Sequence, residues 1–276
     1  MNVRQGSNKN DVKQYDTAGL RSEFLIEDCF SSGNFNFTYS HIDRIVVGGI
    51  IAIQAGTALD AGAELRSQYF LERREMGIIN IGGSGSIVAD GERFCLKKYD
   101  CLYLGWGTKD VSFYSDDDNN PAYFYINSCP AHKAFPKRLC KKENAVTVNL
   151  GSCAECNERT IHKYILPGNI ESCQLVMGLT ILKEGSVWNT MPVHTHERRM
   201  EVYLYFDVKD NNVVFHLMGD PQNTRHIVVQ NRQAVLSPSY SIHSGVGTMN
   251  YTFIWGMCGE NQDFDDMDAV KTQDIR

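Results

Sequence analysis

The sequence lacks the features of a nucleic-acid-binding, membrane or secreted protein. Its 276 residues carry 27 Lys and Arg against 33 Asp and Glu, so no basic excess indicates a nucleic-acid partner. No apolar run approaches the roughly 20 residues needed to span a bilayer. The first ten residues are polar and contain no apolar core of a secretory signal. We therefore expect a cytoplasmic protein that binds neither nucleic acid nor a membrane.

A disulfide framework is also absent. The nine cysteines are odd in number and scattered along the chain, which indicates reduced thiols. Cys153 and Cys156 form a single CxxC pair with no second pair at the spacing of a structural zinc site. We interpret them as ordinary thiols in a loop, with half of a zinc site or a redox pair as the alternatives.

Helical periodicity is scarce, and its best candidates are residues 60–72 and 265–272. Short β-branched and aromatic runs, bounded by Gly, Asp, Asn or Pro, recur instead at regular spacing, for example at 77–81, 122–126 and 202–206. This pattern predicts an all-β protein built from antiparallel sandwiches or barrels, with a few short helices.

An internal repeat divides the sequence into two modules. The string LERRE at 71–75 reappears as HERRME at 196–201, and two further matches follow in the same order at offsets of about 125 to 133 residues. The repeat predicts two tandem antiparallel β-barrel or jelly-roll modules, at 1–135 and 160–276. A polar linker at 136–159 is expected to join them.

Four residues of the second module have the character of metal ligands. His194 and His196 alternate on an extended strand and so point the same way. A turn after Glu197 would start a new strand on which Glu201 and Tyr203 share one face. His243 follows a proline-bearing strand end far along the chain. Three imidazoles and one carboxylate suit zinc, iron(II), manganese or nickel about equally.

The first module lacks these ligands. When the two repeats are aligned, Tyr69 and Leu71 stand in place of His194 and His196. The position of the last histidine falls near Asp110, in a segment that has none. The alignment predicts that the first module carries no metal site and serves structure or assembly.

A His-x-His pair, a downstream Glu and a distant His form the metal pattern of the cupin superfamily. More specifically, the chain resembles the 5-keto-4-deoxyuronate isomerase (4-deoxy-L-threo-5-hexosulose-uronate ketol-isomerase) family over essentially its whole length. The strings that carry the resemblance include YFLERRE at 69–75, WNTMPVHTHERRMEVY at 188–203, SIHSGVGT at 241–248 and FIWGMCGENQ at 253–262. The cysteine-bearing segment 138–158 matches no motif of the family.

The resemblance implies a bicupin with one zinc per subunit, held by His194, His196, Glu201 and His243, without an organic cofactor and assembled as a homohexamer. It implies a small-molecule keto-uronate substrate in pectin degradation. The reaction would be an aldose–ketose isomerisation that yields 3-deoxy-D-glycero-2,5-hexodiulosonate by proton transfer through a metal-stabilised enediolate.

The remaining roles stay open at the level of sequence. Glu201 and Tyr203 are the candidate catalytic residues for proton transfer. The candidate partners for the substrate carboxylate are Lys163, Arg198 and His226. Two other functions use the same ligands: an iron(II) cupin dioxygenase, and a non-catalytic bicupin that binds a sugar acid. Ligand type alone does not choose among them.

Overall fold

The computed structural model describes residues 1–276, which fold mainly into β-strands. The first twelve strands are β1 (Asn2–Arg4), β2 (Leu25–Ile26), β3 (Asn36–Ser40), β4 (Val46–Ile51), β5 (Thr57–Ala58), β6 (Arg74–Asn80), β7 (Gly85–Ala89), β8 (Glu92–Leu96), β9 (Cys101–Leu104), β10 (Val111–Ser115), β11 (Tyr123–Pro130) and β12 (Arg138–Cys140). The others are β13 (Val146–Leu150), β14 (Arg159–Ile165), β15 (Val176–Leu182), β16 (His194–Thr195), β17 (Arg199–Phe206), β18 (Val214–Asp220), β19 (Asn223–Val229), β20 (Gln233–Ser237), β21 (Ile242–Gly247), β22 (Thr252–Gly259) and β23 (Asp268–Ala269). The predicted all-β class is confirmed.

The helices are short and lie elsewhere than expected. The α-helices are α1 (Lys9–Val12) and α2 (Thr17–Phe24), and two 3₁₀ turns occupy Lys142–Asn144 and Thr272–Asp274. The side chain of Asp16 begins α2 by accepting from the backbone N–H of Gly19 at 2.7 Å. The helix expected at 60–72 is absent, because Gly62 and Arg66 adopt φ values of 68° and 50°, which interrupt a right-handed helix. The segment 265–272 forms turns and β23 rather than a helix.

The chain divides into two compact units. The first comprises Met1–Arg4, Asp28–Val146 and Tyr164–Val176. It contains a seven-stranded sheet in the order β1-β3-β4-β11-β6-β9-β12 and a four-stranded sheet in the order β5-β10-β7-β8. Alternate apolar residues of these strands build its hydrophobic core.

The second unit comprises Gln5–Glu27, Thr147–Lys163 and Met177–Arg276. Its strands form a seven-stranded sheet in the order β13-β14-β15-β22-β17-β20-β2 and a three-stranded sheet in the order β19-β18-β21. Strands β16 and β23 pair separately, with His194 opposite Ala269.

The internal repeat is visible in the strand order. In the first unit β11-β6-β9 run side by side, as β22-β17-β20 do in the second, and the hairpin β7–β8 corresponds to β18–β19. The repeat read from the sequence therefore reflects two β-modules with the same core topology.

The module boundaries differ from the expected ones at three segments. Gln5–Glu27 groups with the second unit, because β2 pairs with β20. Tyr164–Val176 groups with the first unit, where backbone N–H groups of this segment bind the carboxylate of Glu75. The expected linker 136–159 contains β12 and β13 rather than unstructured chain.

Cys153 and Cys156 are exposed free thiols in a turn closed by a hydrogen bond from the Cys156 N–H to the Cys153 carbonyl at 3.0 Å. Neither α-helix of the protein has the length and apolar character needed to cross a bilayer.

Candidate metal centre

Three separate elements bring the four expected ligands together. His194 lies on β16 and His196 directly after it, Glu201 lies on β17, and His243 lies on β21. One ligand atom from each residue falls within 4.8 Å of the others. Exposures of 2 % for His196, 4 % for Glu201 and 1 % for His243 show that the cluster is buried. The turn expected after Glu197 is present, and β17 begins at Arg199.

The nitrogen and oxygen atoms converge on one point. Oε2 of Glu201 lies 3.1 Å from Nε2 of His196 and 2.7 Å from Nε2 of His243. Nε2 of His243 also lies 3.0 Å from Nε2 of His194. The rings of His196 and His243 are stacked with centroids 5.0 Å apart, and the His194 ring stands edge-on to both.

Backbone carbonyls fix the tautomers of two ligands. Nδ1 of His196 lies 2.7 Å from the carbonyl oxygen of Asp266, and Nδ1 of His243 lies 3.2 Å from that of Ser241. A carbonyl only accepts, so each Nδ1 carries a hydrogen, and Nε2 of each ring, when deprotonated, presents its lone pair to the cluster. Lone pairs and a carboxylate at these separations repel one another unless a cation lies among them. The residues therefore fit a divalent metal ion.

Burial and charge tune the ionisation of the cluster. Burial, followed by the charge of His243, lowers the pKa of His194 to about 2, so this ring is neutral at pH 7. Burial on its own would raise the pKa of Glu201, but the charge and hydrogen bonds of His243 and His196 outweigh it and hold that pKa well below its usual range. Neutral imidazoles and an ionised carboxylate are the protonation states in which these groups bind metals.

The segment 261–266 is held against the cluster mainly by Arg199, the second of the two arginines that follow Glu197. The buried guanidinium of Arg199 donates to the carbonyls of Asp263 at 2.5 Å, Phe264 at 3.1 Å and Asp266 at 3.2 Å. Arg198 is exposed and forms a two-pronged ion pair with the carboxylate of Asp266. The repeated Glu-Arg-Arg motif thus positions the chain that orients His196.

The first unit carries other residues at the equivalent positions. Leu71 and Met76 stand where the second unit has His196 and Glu201, and both are buried in the hydrophobic core. Phe113 takes the place of His243, because each pairs with the equivalent residue of the corresponding hairpin, Ile87 on β7 and Met218 on β18. This position lies three residues beyond the one expected near Asp110. Tyr69, in the place of His194, is half-buried. Apolar packing replaces the ligand cluster here.

A cavity of about 240 Å³ opens beside the ligands. Its wall is predominantly apolar and aromatic, with a few polar groups among these side chains. The lining residues are Leu150, Arg159, Ile161, Thr180, Thr190, Met191, Pro192, His194, His196, Glu201, Tyr203, Phe253, Trp255, Met257, Phe264 and Met267. This volume lies below the range typical of drug-sized ligands and so suits a small molecule.

Tyr203 shares the cavity with Glu201, as their positions on one face of β17 predicted. Its hydroxyl lies 3.1 Å from Oγ1 of Thr190. Burial, reinforced by the charge of Glu201, raises the pKa of Tyr203 well above its usual value. The phenol therefore stays protonated at neutral pH.

The three cations expected to bind the substrate carboxylate do not line the cavity. Arg198 is engaged by Asp266 at the surface, and His226 is exposed on β19. Lys163 places its ammonium 3.6 Å from the ring centroid of Phe264, behind the cavity wall. The only cationic side chain in the lining is Arg159, which the sequence reading missed.

The profile of the KduI/IolB family matches residues 24–273. The chain belongs to this family. A relative from Lachnoclostridium phytofermentans is 60% identical over 276 residues, one from Dickeya dadantii is 55% identical over 278 residues and one from Lachnospira eligens is 53% identical over 280 residues. The alignments cover 100% of both chains, and all three proteins are named 4-deoxy-L-threo-5-hexosulose-uronate ketol-isomerase. The family resemblance read from the sequence is confirmed.

Solved structures with similar folds are much more distant in sequence. An IolB-like protein from Salmonella typhimurium LT2 superposes with a TM-score of 0.71 at 14% identity, covering 90% of this chain and 97% of the other. An oxalate decarboxylase variant from Bacillus subtilis gives 0.52 at 9% identity, covering 79% and 69%. At such identities the likeness shows the fold alone, and the expected bicupin architecture is confirmed.

Proposed function

We propose that the chain is a zinc-dependent ketol-isomerase that converts 4-deoxy-L-threo-5-hexosulose uronate (5-dehydro-4-deoxy-D-glucuronate) to 3-deoxy-D-glycero-2,5-hexodiulosonate in the breakdown of pectin and related polyuronates. The observation that carries the proposal is full-length identity of 53–60% to relatives of that name. The cluster of His194, His196, Glu201 and His243 supports it, because these four side chains could together hold a metal ion.

The proposed reaction exchanges the oxidation levels of two neighbouring carbons. A proton leaves C2 and is returned to C1, while the proton on the C2 oxygen passes to the C1 oxygen. Atoms and electrons balance without a hydride cofactor. A bound divalent cation would polarise the carbonyl and offset the negative charge of the enediolate that forms between the two proton transfers.

We assign the carbon-bound proton to Glu201. Its carboxylate is ionised, because the neighbouring histidines hold its pKa low, and its side chain faces the cavity. The same residue is also a proposed metal ligand through Oε2, so Oε1 is the atom free to take the C2 proton. Loss of both metal and activity in Glu201→Gln would establish the ligand role only.

We assign the oxygen-bound proton to Tyr203. A phenol kept neutral by burial is a poor base but can donate to one substrate oxygen and accept from the other. Thr190 lies within hydrogen-bonding distance of its hydroxyl and keeps it oriented. Tyr203→Phe is expected to lower kcat by about 100-fold, within the range for general acid–base groups, and to leave metal content unchanged. Full activity in this variant would remove Tyr203 from the proton path.

The deciding experiment follows turnover of the unsaturated monouronate released from pectin. Metal-loaded protein should form the 2,5-diketo acid under argon and in air at the same rate, with about one zinc per chain by elemental analysis. Oxygen-dependent turnover with bound iron would favour a cupin dioxygenase. Saturable binding without product would favour a sugar-acid-binding bicupin.

Three further properties are proposed alongside the activity. Nine free thiols favour a reducing compartment such as the cytoplasm. The apolar residues at the equivalent positions of the first unit favour a structural role for it, without a metal. We expect a homohexamer from the family resemblance, and light scattering coupled to gel filtration measures it directly.

A further inference from the structure

A single arginine lines the cavity beside the metal ligands. Arg159 lies on β14, where it and Ile161, two residues further on, both face the cavity. Nη1 of its guanidinium donates to the carbonyl of Asn157 at 2.8 Å, and the side chain forms no salt bridge. The remaining donors of this guanidinium are therefore available to a ligand.

Other arginines of the same unit are used differently. Arg199 donates to a set of backbone carbonyls, and Arg198 is paired with the carboxylate of Asp266. A guanidinium remains charged even where burial lowers its pKa, as it does for Arg159. A half-buried charge without a carboxylate partner, facing a mainly apolar cavity, is a site for an anion.

We propose that Arg159 binds the substrate's terminal carboxylate and so directs the opposite, aldehyde-bearing end of the molecule toward the ligand cluster. The inference rests on the proposed function in one respect, that the ligand is a uronate. It replaces Lys163, Arg198 and His226 in the role expected for them from the sequence.

The sheet geometry agrees with a ligand of this length. Strands β14, β15, β22 and β17 are successive neighbours, so the backbones that carry Arg159 and Glu201 are three strand spacings, or about 14 Å, apart. Side chains narrow the gap from both ends. Thr180 and Trp255 lie on the two strands in between, and both line the cavity. Nε1 of Trp255 donates to Oγ1 of Thr180 at 3.2 Å. An open six-carbon chain that is charged at one end and reacts at the other suits this arrangement.

The kinetic test uses Arg159→Gln and Arg159→Lys in the zinc-loaded protein. The carboxylate is four carbons away from the reacting pair, so its contact is made equally in the ground and transition states and acts mainly on KM. We expect kcat/KM to fall about 10- to 100-fold in Arg159→Gln, the range for one charge-assisted pair, with kcat within about threefold. Arg159→Lys keeps the charge but not the two-pronged geometry and should give an intermediate KM.

Lys183→Gln is the matched control. The Lys183 ammonium pairs with Glu158, the residue next to Arg159. Lys183 itself is exposed and does not line the cavity. The kcat/KM of Lys183→Gln should stay within about twofold of the parent protein. Zinc content should be unchanged in all three variants. A kcat/KM of Arg159→Gln within twofold of the parent would overturn the proposal.

A binding measurement separates this inference from the isomerase activity. Methyl D-glucuronoside and methyl D-glucoside differ in the carboxylate and, as acetals at C1, cannot be isomerised, so calorimetric titration of the zinc-loaded protein compares them without turnover. The parent protein should prefer the uronate, and Arg159→Gln should reduce that preference at least tenfold. If Arg159→Gln prefers the uronate as strongly as the parent protein does, as expected when the carboxylate binds the metal directly, the role of Arg159 is overturned. The absence of any preference in the parent protein overturns it as well. Absence of isomerised product would overturn the proposed function alone.

Discussion

The backbone carbonyl oxygen of Asp266 lies 2.7 Å from Nδ1 of His196 and thereby fixes which nitrogen of that ring faces the ligand cluster. The same oxygen lies 3.2 Å from Nη2 of Arg199. Two residues further on, β23 pairs with β16 and places Ala269 opposite His194. The C-terminal segment therefore orients two of the four proposed ligands while forming one wall of the cavity.

Replacement of Arg199 tests this support. In Arg199→Gln the segment 261–266 loses most of its hydrogen bonds to β17, so His196 loses its fixed orientation. We expect metal affinity to fall about 10- to 100-fold, as is typical when a partner behind a metal ligand is removed. Competition with a chromophoric chelator measures it. Arg198→Gln is the matched control, because its exposed ion pair contributes little. Equal affinities in the two variants would contradict the role of Arg199.

Metal removal should inactivate and destabilise the protein together. Without a cation, the imidazole lone pairs and the Glu201 carboxylate repel one another, and the free energy of metal binding is lost from the folded state. We expect a chelator to abolish turnover and lower the Tm, and added zinc to restore both. In His243→Gln the bound zinc should fall well below one per chain, whereas His226→Gln, altered on the exposed face of β19, should retain it. Turnover by metal-free protein would contradict the proposal.

A buried histidine beneath the site should make stability depend on pH. Burial, then the charge of His243, lowers the pKa of His216 to about 3, while an unfolded histidine titrates near 6.5. The unfolded state binds the additional proton between these values, so this contribution to stability is present above pH 6.5 and is lost as pH falls toward 3, by up to about 1.4 kcal/mol per pH unit.

Urea unfolding from pH 7 to pH 4 measures this dependence. His216→Gln keeps a polar partner for the hydroxyl of Tyr205, which lies 2.7 Å from Nδ1 of His216. The free energy of unfolding of His216→Gln should decline with falling pH less steeply than that of the parent protein. The difference in slope should correspond to at most one fewer proton bound on unfolding. The exposed His226 is the control, and His226→Gln should follow the parent. Identical slopes in the parent and His216→Gln would show that the buried ring is not the group that titrates.

The ligand cluster can be predicted from the sequence because three of its four members, His194, His196 and Glu201, lie close together along the chain. The His-x-His pair and the alternation along β17 fix which side chains face inward, and the repeat shows where the first module differs. Even so, the counterpart of His243 is Phe113, three residues beyond the position expected near Asp110. Eight residues separate Phe113 from Leu104, whereas five separate His243 from the equivalent Ser237. Register between distant strands is set by tertiary pairing, which one sequence does not show.

Arg159 shows where pattern analysis stops. Alternation places Arg159, Ile161 and Lys163 on one face of β14, so the sequence could have identified this face. The sequence does not show which end of this strand borders the cavity, so Lys163 is as good a candidate as Arg159 at that level. Strand β2 was missed for a related reason: two residues that pair with β20 from the far end of the chain have no periodicity of their own.

Glu75 in the first unit should be important for stability rather than catalysis. Its fully buried carboxylate accepts from the backbone N–H groups of Cys173, Gln174 and Leu175 at 2.7 to 2.9 Å, and from the hydroxyl of Tyr103 at 2.8 Å. In Glu75→Gln an amide group would face donors, leaving buried N–H groups unsatisfied, at a cost of roughly 2–4 kcal/mol. Urea unfolding measures this loss, and kcat/KM of the folded fraction should be unchanged. Glu92→Gln, at an exposed position of the same unit, is the control and should alter stability by less than about 0.5 kcal/mol. A Glu75→Gln protein as stable as this control would show that the segment holds its place without the carboxylate.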